Sequence, residues 1–151
     1  MAFRYKASGR ALFLVWHTVV TLEDVAAAEQ LFTAARKAAG AQLVAVGVIS
    51  AHVRSHPDAD TRAAMSRVMP TIAEKCEAIH VVAEGDDFQR KLLRGLFRAI
   101  LRVAGILPMQ MHSTVGSALA AAGKLAPEDV LAAYEAAQHD GLIDGRVQIA
   151  G

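Results

Sequence analysis

Residues Leu43 to Ser50 read LVAVGVIS, an apolar run broken by no charge and no proline. A strand with one wet face alternates polar and apolar side chains, so this run belongs to a central parallel strand covered on both faces. Such a strand requires helices on both sides of a sheet, and the flanking sequence provides candidates for them. Phe3 to Lys6 is a short first strand ending at the turn-forming pair Ser8-Gly9. Ala11 to Val20 (ALFLVWHTVV) is rich in β-branched and aromatic residues and reads as a second, buried strand.

Thr21, with Asp24 three positions on, forms a capping-box-like start for a helix that Gly40 ends, with Arg36 and Lys37 in its last turn. A loop from His52 to Asp58 follows the central strand, and Asp58 or Asp60 caps the next helix, which Pro70 is expected to kink or divide. Ala78 to Ala83 is a further strand, and a long helix is expected from about Asp87 to Val103. Met109 to His112 is a short last strand. A small helix capped by Ser113 or Thr114 and a final helix opened by Pro127 complete the order β-β-α-β-α-β-α-β-α-α. Strands alternating with helices imply an α/β fold with a single mixed, mostly parallel sheet of about five strands. Its first strand is antiparallel and its crossovers are right-handed.

With 151 residues, 54% of them hydrophobic, the chain can bury a core without staples. Lys plus Arg number 16 and Asp plus Glu 15, so no global field draws it to nucleic acid, and the basic-aromatic interleaving of nucleic-acid binders is missing. The single cysteine, Cys76, cannot form an internal disulfide, and Glu74 and Glu77 beside it are expected to raise its pKa. The start is polar, and the run from Ala11 to Val20 is too short to span a bilayer, so a cytoplasmic location is expected.

The element order resembles the STAS domain of bacterial anti-sigma-factor antagonists. Ala11–Asp24 resembles that family's second strand and first helix, Leu43–Ser50 its central strand, Ile79–Gly85 the next strand, and Met109–Leu119 its closing strand and small helix. The resemblance covers residues 3 to 123, so residues 1–123 are expected to form the STAS-like domain, with 124–151 as a C-terminal helix and tail packed on it. It implies a bacterial, non-enzymatic signalling domain that binds a protein partner, which includes a second copy of itself. Family members switched by phosphorylation carry Asp-x-Ser-Gly or Ser-Ser-Gly after the central strand; this chain has Ser50-Ala-His-Val-Arg-Ser-His-Pro-Asp-Ala-Asp-Thr61. Ser55 and Thr61 are the hydroxyls available there, although Thr61 also reads as an ordinary first-turn helix residue.

Two constellations remain. On the helix from Asp87, apolar residues including Leu93, Phe97 and Leu101 occupy half the circumference, with Arg90, Arg94 and Arg98 opposite. A partner-binding surface, a lipid-facing groove or interfacial membrane helix, and a core helix with a solvated basic side all fit this pattern. In one version the C-terminal helix covers it through Val130, Leu131 and Tyr134. His17, His52 and His112 fall at strand ends, with His56, Asp58 and Asp60 near His52, whereas His80 lies within an apolar strand and reads as a core or edge histidine. Trp16, at a strand exit, fits either a pocket lining or the core rim. No catalytic motif is present, and neither a cofactor nor a metal site is expected. The alternative function is a small-molecule or lipid-binding module on the apolar face of the helix over 87–103.

Overall fold

The computed structural model describes residues 1–50, 53, 55–83, 91, 94, 95, 98 and 109–143. Five strands, β1 (Phe3–Ser8), β2 (Ala11–Trp16), β3 (Leu43–Ile49), β4 (Cys76–Ala83) and β5 (Met109–His112), form one sheet in the order β1-β2-β3-β4-β5. β1 runs antiparallel to β2 and every other pairing is parallel, as the order of elements predicts.

The period of two along each strand sorts the core into two layers. Leu12, Leu14, Leu43, Ala45, Ile49 and Ile79 face α1 (Leu22–Ala39) and α2 (Ala59–Ala73). Phe13, Val44, Val46, Val48 and Val82 face α3 (Val115–Gly123) and α4 (Pro127–His139). Sequential strand order with crossovers of one hand places α1 and α2 on the same side, which leaves the opposite side for the helices that follow β5. The central run is thus buried from both sides: Val44 has no exposed surface and Ala45 has 1%.

Local chemistry sets the helix ends. The capping box at Thr21 is complete: the Thr21 hydroxyl accepts the Asp24 N–H at 3.4 Å, and the Asp24 carboxylate accepts the Thr21 N–H at 2.9 Å. Asp24 also accepts the Ala2 N–H at 3.0 Å, which ties the residues before β1 to the start of α1. Gly40 ends α1 in the left-handed conformation, and its N–H donates to the Arg36 carbonyl. Asp58 caps α2 and Thr114 caps α3. Pro70 does not divide α2, which runs unbroken to Ala73. It sits in the last turn, so the missing N–H removes one hydrogen bond close to where the helix stops anyway.

The hairpin between β1 and β2 is fastened from across the molecule. Gly9 turns at φ +53, and the Asp129 carboxylate of α4 occupies the space a side chain at Gly9 would need. That carboxylate accepts the Arg10 N–H at 3.1 Å, while the Arg10 guanidinium reaches Glu77 at 2.6 Å and the Leu125 carbonyl at 2.7 Å. Val130 and Tyr134 of α4 point into the core and Leu131 faces outward, so these three do not present one continuous apolar surface.

Candidate functional site

β2 stops at Trp16 instead of continuing to Val20. Its partners impose the limit: Trp16 pairs with Phe3 at the start of β1 and with Ile49 at the end of β3, and the His17 N–H still donates to the Ala2 carbonyl at 2.8 Å, but Thr18 to Val20 have no strand beside them among the described residues. Thr18, Val19 and Val20 instead turn over the carboxyl ends of the strands and join Val53, Ser55 and Pro57 around the mouth of a cavity of about 120 Å³.

The floor of that cavity is the α1/α2 face of the sheet. Ala45 and Gly47 are the two smallest residues on that face of β3; Gly47 lies between Leu14 of β2 and Val81 of β4, and Ala45 between Leu12 and Ile79. A methyl group added at Gly47 would meet nothing within 4 Å, so the missing side chain leaves real space. The roof comes from Val25, Ala28 and Phe32 of α1 and from Met65, Val68 and Met69 of α2. Trp16 forms part of the wall and packs on Phe3 with ring centroids 4.7 Å apart. Among the described residues that line the cavity none is charged, and the two that carry hydroxyls, Thr18 and Ser55, are both exposed. This is the position at which open α/β sheets receive ligands, and its lining suits an uncharged, apolar one.

No family model matches the chain, and neither does a curated protein or a solved structure. What the cavity can hold therefore follows from its own lining. Cavities of about 150 Å³ lined by aliphatic and aromatic side chains stay dry and take up benzene. The thioethers of Met65, Met69 and Met109 give this one walls that adjust to shape.

A second cluster lies on the opposite face of the sheet. His80, within β4, is 3% exposed, and its Nδ1 lies 2.9 Å from Nε2 of His112 in β5. Nδ1 of His112 in turn lies 2.8 Å from the hydroxyl of Ser117 in the first turn of α3. The register pairs Val82 with His112, so the two rings meet diagonally across adjacent strands. Burial, and next to it the His112 ring, push the His80 pKa down to about 4, and burial also lowers that of His112. Among the described residues Nε2 of His80 has no hydrogen-bond partner.

The residues singled out in the sequence are placed as follows. Arg90, Leu93, Phe97 and Leu101 lie outside the described residues, as does the apolar face of the 87–103 helix. Arg98 is exposed, and Arg94 is half-buried with its guanidinium donating to the Ala83 carbonyl at 2.7 Å. Ser55 is exposed at the cavity mouth. Thr61 is 1% exposed in the first turn of α2, where its N–H donates to Asp58. His52 lies outside the described residues and His56 is exposed. No group of three or more histidine, cysteine or acidic side chains among the described residues is placed to hold a metal ion. The Cys76 thiol is pushed up to about 12 by burial, and the glutamates beside it in sequence are not what raises it. Among the described residues no helix is long and apolar enough to cross a membrane.

Two features went unread in the sequence. Ala45 and Gly47, two apart on one face of a strand of larger residues, were the signal for a hollow. A histidine inside an apolar strand, which needs a polar partner, was the signal for the pairing of His80.

Proposed function

We propose that the chain is a binding domain whose ligand is a small, uncharged, mainly apolar molecule. It would lie between α1, α2 and the sheet with any polar end at Thr18 and Ser55. The observation that carries this reading is the hollow above Ala45 and Gly47, walled by apolar side chains at the carboxyl ends of the strands. A ligand about the size of one aromatic ring fits, whereas a carboxylate or phosphate seated inside would lose its hydration with no cation among the described lining residues to replace it. The ligand role expected of the 87–103 helix is thus proposed for the layer of α1 and α2. The STAS-like, partner-binding role stays part of the proposal: occupancy under α1 and α2 would change the surface those helices offer to a protein.

Titration with toluene and with indole, followed through the backbone amide of Gly47 by NMR, tests the reading. Saturable one-to-one binding that Gly47→Val abolishes supports it. Probes that perturb Gly47 without saturating, or that bind Gly47→Val equally well, would refute it.

A further inference from the structure

The hydroxyl of Ser117 is exposed, the ring of His112 is half-buried and that of His80 is buried, and the three form an unbroken line at 2.8 and 2.9 Å. A hydroxyl touching an imidazole that is held from behind by a third, buried group is the arrangement that activates a serine. We propose that Ser117 is a nucleophile, His112 its general base and His80 the buried residue that positions His112, and that the site takes acyl groups from small activated carboxylic esters. The cavity lies on the other face of the sheet, so this activity is separate from ligand binding there.

These roles require one particular pair of tautomers. A base at Nδ1 of His112 must carry its proton on Nε2 and donate it to Nδ1 of His80. His80 then carries its own proton on Nε2. Both rings are in that case in the tautomer that free imidazole side chains prefer. His80 is fully enclosed and its Nδ1 is committed to His112, so the ring behind the base is fixed. Ser117 also lies in the first turn of α3, whose positive end favours negative charge developing beside it.

The reaction balances with the groups present. The Ser117 oxygen bonds to the ester carbonyl carbon while its proton passes to Nδ1 of His112. Collapse of the tetrahedral adduct breaks the bond to the leaving alcohol, which departs with that proton. Water then adds to the acyl-serine with His112 again accepting the proton; the carboxylic acid leaves and the serine is restored. Neither an oxidant nor a cofactor takes part.

The test treats the full chain with a fluorophosphonate and, separately, with p-nitrophenyl acetate, and maps the modified residue by mass spectrometry. One adduct per chain at Ser117 is expected. It should be absent in Ser117→Ala, whose exposed position spares the fold, and form roughly 100-fold more slowly in His112→Gln, the scale of a lost general base. His80→Gln retains an acceptor for His112 and should keep most of the rate, whereas His80→Leu should lose about tenfold while its circular dichroism stays native. Ser117 unmodified at a rate above that of denatured chain would overturn the nucleophile. Acylation of His112 that persists in Ser117→Ala would do the same, and an undiminished rate in folded His80→Leu would remove the positioning role.

Discussion

Replacing Gly47 with alanine should make the protein more stable and its cavity less useful. Gly47 has no positive φ, so an L side chain fits its backbone without strain, and a β-carbon there meets nothing within 4 Å. Glycine within a strand forfeits roughly 0.5–1 kcal/mol of backbone entropy relative to alanine. Taking the added methyl out of water inside the cavity contributes up to about 0.8 kcal/mol. Together they predict a gain of about 1.5 kcal/mol, which in a chain of this length raises Tm by roughly 4 °C. The added methyl also takes space from a ring-sized ligand, and overpacking of that kind costs at least about 1 kcal/mol, so affinity for toluene should fall severalfold or more. Urea denaturation of both proteins, with and without ligand, measures the two effects on one sample. A variant that is more stable but binds less tightly has the signature of a residue kept small for function. A Gly47→Ala protein less stable than its parent would show that the space is not there, and the ligand proposal would fall with it.

Acid should weaken the protein in two separate windows. His80 is held at about 4 in the folded chain, against roughly 6.5 when unfolded. The unfolded state therefore binds more protons between those values: stability is intact above pH 6.5 and falls as pH drops towards 4, by about 2 kcal/mol at pH 4.5. Denaturant titrations of wild type and His80→Leu at pH 7 and 4.5 should show the variant losing less, and equal losses would count against the burial argument. At Asp24, burial raises the pKa, but the Ala2 and Thr21 hydrogen bonds outweigh it and hold the carboxyl below its usual range. Its contribution is present above about pH 4 and is lost as pH falls through the lowered value. Asp24→Asn should cost roughly 1–3 kcal/mol at pH 7, with the gap from wild type closing under strong acid; a gap that does not change with pH would contradict this.

Local sequence determines the sheet more fully than the sites it carries. LVAVGVIS, the Thr21–Asp24 box and Pro127 at a helix start each act over a few residues, and each predicts its element correctly. The end of β2 is another matter. His17 to Val20 have the composition of a strand, yet they are not one, because β1 and β3 end opposite Trp16. Pairing depends on neighbours more than 10 residues away in sequence, so no local preference reveals where it ceases. The same dependence hides both candidate sites. His80 and His112 meet only because β4 and β5 adjoin with Val82 opposite His112; a register shifted by one residue would send one ring to the other face of the sheet. The hollow at Gly47 becomes a cavity only when Leu14 and Val81 flank it and α1 and α2 close over it. Composition and local pattern thus locate the carboxyl edge of the sheet as the place to look, while register determines which side chains face each other there. One side of the cavity mouth is formed by Thr18, Val19 and Val20, which follow the last paired residues of β2, so the failure of strand propensity past Trp16 also shapes the entrance to the proposed ligand site.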